Sequence, residues 1–499
     1  SLGKGVVVAK DTPGFIGNRI GVYGIMRVLE LIADGQFTVE EVDAMSGPII
    51  GRPKSATFRT VDIVGIDILA HVASTLTERL KTEKERSAFA TSELVEALIE
   101  RGWVGEKAGQ GFYKKERGPD GTRILTLDPA TLTYREHQSP RLPSLDVSQT
   151  IDDLPERLRT LFLGKDRVAE FLRATLGQTL IYAAKVARDI AYSIDDIDRA
   201  MRWGYGWSLG PFELWDAIGV DNVLEGCAVS EPPELIRELK VLNKSAEGAL
   251  SSRRFREGSL PPSGTDALIL AQAKKAHAVV KKNPGASLVD LDDGVLALEF
   301  HSKINTIGGD TIEMLVAGVA EAERNFEALV VGNESPAFSV GANLMLVLFE
   351  AQEGNWDEID LMVRSFQSAV LGLRYADVPV VVAPAGLTLG GGCEVVLHGD
   401  AVQAAAETYM GQVEVGVGLI PAGGGTKELL VRSINRRQST IEDSLPSVRQ
   451  VFELIGLGKV STSALDAKHL GLLGPTDRIT MNRDRLLADA KNLALGLSD

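Results

Sequence analysis

The spacing of apolar residues differs between successive stretches of the chain. Residues 15–113 repeat apolar positions every three or four residues and end these runs at glycines, which predicts amphipathic helices. Residues 114–155 are polar and broken by prolines, which predicts a long connection. Residues 160–225 are helical again, and 228–285 contain a run, 265–282, that predicts a connecting helix.

Beyond Gly285 the pattern changes to short apolar runs that alternate with helical stretches. The runs are LALEF, EALVV, VPVVVAPA and AVQAAAE. Strands that alternate with helices are typical of a parallel sheet, so this part of the chain is predicted to be α/β.

An internal repeat links the two helical stretches, because residues 39–67 resemble residues 193–221. We interpret the repeat as the duplication of one helical packing unit. The matched pairs are Asp43 and Asp198, Phe58 and Phe212, Asp62 and Asp216, Gly65 and Gly219, and Asp67 and Asp221.

Length and charge narrow the classes of protein. A chain of 499 residues is too long for one core, which suggests two to four domains. Its 53 Lys and Arg against 68 Asp and Glu give a formal charge of -15, which argues against nucleic acid or an anionic membrane as the main partner. No run of about 18 apolar residues predicts a membrane span.

The cysteines and histidines predict neither a disulfide framework nor a zinc site. Cys227 and Cys393 stand far apart, and six histidines are scattered along the chain. We therefore expect no metal, and a reducing, cytoplasmic compartment.

Three glycine-rich segments carry the candidate chemistry, at 337–344, 378–400 and 409–430. Glycines let the backbone approach a ligand closely. Backbone N–H groups in such turns, and at the start of a following helix, can hold the negative charge that develops on a carbonyl oxygen.

Two carboxylates accompany these turns. Glu394 lies in the first turn of the helix predicted after Gly390-Gly391-Gly392, and Glu414 follows 20 residues later. Two carboxylates beside a carbonyl can hold a water molecule and move a proton to or from carbon. Taken singly, each feature is more often structural, as a tight turn or an acid at a helix N-terminus.

In this order and spacing, the segments resemble the crotonase (enoyl-CoA hydratase/isomerase) family over residues 286–480. The resemblance implies oxyanion-hole donors at the Ala342 and Gly391 amides. It also implies catalytic roles for Glu394 and Glu414 and a coenzyme A thioester as substrate. Since both glutamates are present, it favours hydration of a 2-enoyl-CoA.

Two positions depart from that family, since Asn343 and Met345 stand where it often has an acid and a lysine. Two alternatives to the hydratase stay open. One is an enoyl-CoA isomerase that uses a single glutamate. The other is a non-catalytic acyl-CoA-binding and assembly scaffold.

The helical part resembles the C-terminal domain of 3-hydroxyacyl-CoA dehydrogenases. The motifs are VVVAKDTPGFIGNRI and GEKAGQGFYKK in the first copy, and GWSLGPFELWDAIGVD in the second. Asn18 falls on the family's substrate-positioning asparagine. The equivalent place in the second copy is about Arg173, which implies a structural role there. A helix N-cap is the alternative role for Asn18.

No G-x-G-x-x-G motif occurs in the sequence. By the resemblance, the NAD site and the catalytic His and Glu of such dehydrogenases belong to a separate nucleotide-binding domain. We therefore expect this chain to be a fragment of a longer multifunctional β-oxidation protein, and itself to bind no NAD. We also expect a homodimer that forms through the helical domains.

The predicted fold is multidomain. All-α tandem domains like those of 3-hydroxyacyl-CoA dehydrogenases are expected at 1–120 and 159–235, with linkers at 121–158 and 236–285. An α/β domain with the ClpP/crotonase-like ββα spiral is expected at 286–499.

Overall fold

The chain divides into two compact units, Val6–Ser263 and Gly264–Asp499, the second taken together with Ser1–Gly5. The structure is a computed structural model. It describes residues 5–33, 35–118, 121–151, 153–243, 270, 274, 279–436 and 444–498.

In its described residues the first unit is helical apart from a three-stranded antiparallel sheet. The strands are β1 (Tyr113–Gly118), β2 (Gly121–Asp128) and β3 (Thr133–Glu136), in that order. The helices are α1 (Gly17–Ala33), α2 (Val39–Ser46), α3 (Phe58–Val64), α4 (Ile66–Arg79), α5 (Glu83–Ser87), α6 (Glu93–Glu100), α7 (Pro143–Ser148), α8 (Leu154–Leu163), α9 (Arg167–Leu172), α10 (Gln178–Ile190), α11 (Ile194–Tyr205), α12 (Pro211–Ile218), α13 (Val220–Gly226) and α14 (Glu234–Asn243).

One hydrophobic cluster fills this unit and takes side chains from both copies of the repeat. Ile20 and Leu29 of α1 and Leu180 of α10 are at most 2% exposed. The copies that the sequence predicts as separate domains, at 1–120 and 159–235, therefore share one core.

The segment 121–158 is not the linker that its composition predicts. It contains β2, β3, α7 and the start of α8, and Leu127 and Leu145 are buried in the shared cluster. A small antiparallel sheet that faces solvent on one side needs few apolar residues, so its strands leave a weak hydrophobic signal.

The repeat places an aspartate against the start of a short helix in each copy. Asp43 Oδ1 accepts the N–H groups of Phe58 at 2.7 Å and Thr57 at 3.1 Å, at the start of α3. Asp198 Oδ1 accepts the N–H of Phe212 at 2.8 Å, at the start of α12. Each carboxylate satisfies backbone donors that a helix start leaves without an intrahelical partner. Asp43 and Asp198 are therefore structural.

Each copy then turns sharply at a glycine between two helices. Gly65 follows α3 with φ 109° and ψ 127°, and Gly219 follows α12 with φ 102° and ψ 131°. Side chains other than glycine adopt this region of backbone space only under strain. The matching angles show that the repeat duplicates a backbone geometry as well as a set of residues.

No single helix in the described ranges is long and apolar enough to cross a bilayer. Only α3 and α4 taken together meet that criterion, and they are bent by 91° at Gly65. Phe58 and Ile66 on these two helices are fully buried.

The second unit is built largely on parallel strands. Its strands are β4 (Val279–Lys282), β5 (Ala286–Asp290), β6 (Val295–Phe300), β7 (Thr306–Ile307), β8 (Ala328–Gly332), β9 (Ala337–Ser339), β10 (Gly341–Ala342), β11 (Val380–Ala383), β12 (Gly386–Leu389), β13 (Ala401–Ala405), β14 (Thr408–Gly411) and β15 (Arg478–Thr480). Its helices are α15 (Gly309–Asn325), α16 (Leu344–Glu353), α17 (Trp356–Arg374), α18 (Gly391–Leu397), α19 (Gly425–Arg436), α20 (Leu445–Gly456), α21 (Ala464–Leu470) and α22 (Leu486–Ser498).

The large sheet has the order β15-β13-β11-β8-β6-β5-β4. Its strands are parallel from β6 to β15, and the β4–β5 and β5–β6 pairs are antiparallel. Strands β14, β12 and β9 form a second, parallel sheet, and β10 pairs with β7. The four predicted strands and their parallel arrangement are confirmed as β6, β8, β11 and β13.

Both faces of the large sheet are covered. Leu329 and Val331 of β8 belong to the cluster that includes Leu315 of α15, whereas Val330 belongs to the cluster that includes Leu487 of α22. A strand that is buried on both faces reads as a continuous apolar run, which explains why EALVV shows no alternation.

The run 265–282, predicted as a connecting helix, lies mostly outside the described residues. Its last four residues are not helical, because they form β4 and pair antiparallel with β5. Lysines such as Lys281 and Lys282 are typical of strands at a sheet edge. The α/β unit therefore begins before residue 286.

The turn at Gly219 provides a stability test. We expect Gly219→Ala to lower the free energy of unfolding by about 1–3 kcal/mol, because alanine is strained at this φ. The measurement is the midpoint of urea unfolding followed by circular dichroism.

The matched control is Gly204→Ala within α11, where an added Cβ meets no atom within 4 Å. That change should be neutral or stabilising by up to about 1 kcal/mol, since alanine favours helices. Equal midpoints for the two variants would contradict a strained turn.

Candidate active site

The glycine-rich segments meet at the start of α18. Strand β10 pairs with β7, and α18 begins at Gly391, just after β12. A Cβ added to Gly341 would lie only 3.0 Å from the Gly391 nitrogen. The two segments that were predicted to supply oxyanion donors are therefore in contact.

Neither predicted donor N–H is used within its own ladder or helix. Ala342 pairs with Ile307 in the parallel ladder, and the N–H of Asn343 donates to the Ile307 carbonyl at 3.3 Å. In such a ladder the neighbours of Ala342 make the bonds, so its own N–H points away from β7. The Gly391 N–H lies in the first turn of α18 and has no intrahelical acceptor.

Close contacts explain why this turn consists of glycines. Gly390 has φ 52°, and a Cβ there would lie 2.9 Å from the Glu414 carboxylate. A Cβ on Gly392 would lie 2.6 Å from the Ser339 carbonyl oxygen. The absence of side chains at Gly390 and Gly392 therefore lets Glu414 and β9 approach the turn formed by residues 390–392, called the donor turn below.

Glu394 lies in the first turn of α18, as predicted, and is 2% exposed. Its Oε1 accepts the N–H of Gly425 at 2.8 Å. Gly425 is the first residue of α19, so the carboxylate takes the place of a helix N-cap.

The pKa of Glu394 is raised to about 7, chiefly by burial. The N–H of Gly425 lowers the pKa, the nearby Glu414 carboxylate raises it, and the N–H of Gly423 lowers it. Burial also raises the pKa of Glu414. A carboxyl group that titrates near neutrality is available both as acid and as base, as proton transfer to and from carbon requires.

Glu414 begins a 3-10 turn, Glu414–Val417, shortly after β14. With its amide nitrogen turned toward Glu414, Gln412 donates to both carboxylate oxygens at 3.1 Å. Sequence reasoning missed Gln412, although its position two residues before Glu414 could have drawn attention to it.

Phe366 is a second residue that sequence reasoning missed. Its ring, on α17, would lie 3.4 Å from a Cβ on Gly391 and 2.3 Å from a Cβ on Gly423. The ring therefore fills the space between the donor turn and the turn that binds Glu394. No motif surrounds Phe366, and its place in an amphipathic helix gives no signal of this contact.

The positions that depart from the crotonase pattern lie at the start of α16. Asn343 precedes the helix, and Met345 is 74% exposed. The structure therefore places a flexible apolar side chain where that family often has a lysine.

Asn18 lies inside α1, and its Oδ1 accepts the hydroxyl of Tyr205 at 2.9 Å, from the second copy of the repeat. An added Cβ on Gly21 would lie 2.3 Å from the Tyr205 ring, so this glycine makes room for the contact. The side chain of Asn18 thus bonds across the repeat and does not cap its own helix.

Arg173, the counterpart of Asn18, is structural. It lies in a π-helical turn, Arg173–Gly177, that joins α9 to α10. Its guanidinium donates to the carbonyls of Phe162, at 3.1 Å, and Gly164. These bonds hold the turn against the end of α8.

Two protein families match this chain. Residues 14–115 and 171–253 match the 3-hydroxyacyl-CoA dehydrogenase C-terminal domain. Residues 290–440, which include the site described above, match enoyl-CoA hydratase/isomerase.

A probable 3-hydroxyacyl-CoA dehydrogenase of Bacillus subtilis is 44% identical over 507 residues, which cover 100% of this chain and 63% of that protein. One from Deinococcus radiodurans is 45% identical over 117 residues, 23% of this chain and 33% of that protein. An enoyl-CoA hydratase structure from Bacillus anthracis aligns with 43% of this chain and 76% of its own, at 22% identity and a TM-score of 0.36.

The chain spans slightly less than two thirds of the curated relatives that it matches along its length. The order of the matched regions agrees with the two compact units of the structure. The chain therefore matches the C-terminal domain of the 3-hydroxyacyl-CoA dehydrogenase family and, after it, the enoyl-CoA hydratase/isomerase family.

Proposed function

We propose that the α/β unit hydrates 2-enoyl-CoA thioesters to 3-hydroxyacyl-CoA, a step of fatty acid β-oxidation. The observation that carries the proposal is the meeting of two carboxylates and two free backbone donors at one turn. Glu414 approaches Gly390, Glu394 follows three residues after Gly391, and Gly341 brings the Ala342 amide alongside.

The reaction adds the oxygen of water to Cβ of the enoyl group and a proton to Cα. As the oxygen attacks, negative charge moves onto the thioester oxygen, where the N–H groups of Ala342 and Gly391 would stabilise it. One such donor typically contributes about 3 kcal/mol to the stabilisation of the transition state.

The two glutamates would divide the proton transfers. One carboxylate accepts a proton from the attacking water, and the other carboxyl group delivers a proton to Cα. The raised pKa values of Glu394 and Glu414 suit both roles. An isomerase moves one proton within its substrate and requires only one of these acids, so the presence of both supports hydration.

The helical unit would be the substrate and dimerisation part of an NAD-dependent 3-hydroxyacyl-CoA dehydrogenase. Asn18 would orient the substrate, since the Tyr205 hydroxyl occupies its oxygen and leaves the amide N–H groups free to donate. Copies of the chain would associate through exposed apolar residues such as Ile63, Val64 and Ile68. We also propose that the protein is located in the cytoplasm.

We assign no NAD site to the described residues of the helical unit. A dinucleotide site requires a strand, a glycine-rich turn and a helix in succession within a parallel sheet. The described sheet of the helical unit is antiparallel, and the sequence contains no G-x-G-x-x-G. We therefore assign the hydride transfer to no described residue of this unit. No group of three or more potential metal ligands lies together in the described residues either.

Replacement of either glutamate tests the hydratase. We expect Glu394→Gln and Glu414→Gln each to lower kcat for crotonyl-CoA by about 10²–10⁴-fold, because an amide can neither accept nor deliver the proton. The loss of enoyl thioester absorbance measures turnover.

Glu407→Gln is the matched control, because Glu407 is exposed in the turn before β14. This variant should retain the kcat of the unsubstituted chain. Turnover that is unchanged in all three variants, or absent from the well-folded unsubstituted chain, would exclude the proposed function.

The raised pKa of Glu394 predicts a dependence of stability on pH. The pKa is higher in the folded state than its ordinary value of 4.5, so the folded chain binds the proton more tightly. This contribution to stability is complete below pH 4.5 and is lost as the pH rises through about 7.

The Tm of Glu394→Gln minus that of the unsubstituted chain should therefore rise between pH 4.5 and 7 and then level off. The corresponding change in the free energy of unfolding is about 3 kcal/mol. The measurement is calorimetry of both proteins across this range. A Tm difference that stays flat would show that burial does not raise this pKa.

A further inference from the structure

The short helix α18 carries both the Gly391 donor and Glu394, so its position determines the geometry of the site. The last four carbonyl oxygens of a helix receive no hydrogen bond from a residue of that helix, so other groups must donate to them. In α18 all four accept a hydrogen bond. The His398 ring donates to the Glu394 carbonyl at 2.7 Å, and the His398 N–H donates to the Val395 carbonyl at 3.2 Å. The Gly399 N–H donates to the Val396 carbonyl at 3.4 Å. The Arg432 guanidinium donates to the Leu397 carbonyl at 2.7 Å.

His398 has a special place among these donors, because its ring bonds the backbone of Glu394 itself. The side chain is fully buried. A carbonyl oxygen only accepts hydrogen bonds, so the proton of a neutral ring must be on Nδ1. The His398 N–H bonds to Val395, so it cannot serve the Glu394 carbonyl as it would in a regular α-helix.

The opposite edge of the ring faces the turn that binds the Glu394 carboxylate. Cε1 and Nε2 of His398 would each lie 3.1 Å from a Cβ on Gly424. Gly424 directly precedes Gly425, whose N–H donates to the Glu394 carboxylate. Nε2 lies 3.8 Å from Glu428 Oε1, too far for a hydrogen bond.

We propose that His398 is a positioning residue, whose ring fixes the backbone of Glu394 on one edge and supports the carboxylate-binding turn on the other. The inference rests on the proposed hydratase function. His398 touches no reacting atom, and it acts through Glu394 by setting the distance between α18 and the start of α19.

Two substitutions of His398 by amide side chains test the two edges of the ring separately. In His398→Asn the side-chain nitrogen can occupy the place of Nδ1 and donate to the Glu394 carbonyl. In His398→Gln the nitrogen reaches the place of Nε2 instead, and the carbonyl loses its donor. The two variants bury similar polar groups, so a general loss of packing affects both.

We expect His398→Asn to stay within about 3-fold of the unsubstituted kcat for crotonyl-CoA, and His398→Gln to lose roughly 10–100-fold, because small misplacement of a catalytic group costs on this scale. KM should change by less than about 2-fold in both, since the oxyanion donors and the ligand surface remain. The Tm of each variant is measured alongside to correct kcat for the folded fraction.

His301→Asn and His301→Gln are the matched controls. His301 lies in the same unit but is exposed and bonds Ser287 Oγ at 2.8 Å. Both control variants should keep the unsubstituted kcat and KM.

Equal kcat values for His398→Asn and His398→Gln, whether high or low, would overturn the positioning role while leaving the hydratase intact. Absence of hydration by the folded, unsubstituted chain would overturn both. As an independent check, nitrogen NMR of ¹⁵N-histidine-labelled chain should show His398 with Nδ1 protonated and Nε2 bare. The reverse tautomer would also refute the proposal.

Discussion

The hydrogen bond from the Gly425 N–H to the Glu394 carboxylate joins the two helices on which the candidate site depends. Burial favours the neutral carboxylic acid, whereas the start of a helix favours the carboxylate. Burial prevails, and the pKa rises to about 7. A more polar setting would leave Glu394 permanently ionised, and a drier one would keep it protonated.

The same bond constrains the surrounding chain. Glu394 can reach Gly425 only if α18 is held near α19, and the guanidinium of Arg432, which comes from α19, bonds the last carbonyl of α18. Phe366 then fills the space beside Gly423. Each of these contacts joins segments that are distant in sequence, so the site is a product of tertiary packing as much as of its glycine motifs.

The sequence predicts the local features of the chain well. Apolar runs such as EALVV mark buried strands, because a parallel sheet that is covered on both faces needs apolar residues on both. The glycines at 390–392 mark the donor turn, because Glu414 and β9 leave no room for side chains there.

The remaining features depend on contacts that carry no periodic signal. Phe366 and His398 each appear as ordinary core positions of a helix, and only the folded chain shows which turn they touch. The composition of residues 121–158 predicts a linker, because the small sheet that they form contains few apolar residues. The helix expected across 279–282 failed because an edge strand can be rich in lysine.

Both copies of the repeat lie in one chain, so the sequences of the two copies can change independently. In a symmetric homodimer, any substitution occurs on both sides of the interface at once. Here Asn18 of one copy meets Tyr205 of the other, while its own counterpart is Arg173, which serves the backbone of α8. Pseudosymmetry within one chain allows one half to carry an exposed amide at this position while the other half carries a guanidinium that supports the backbone.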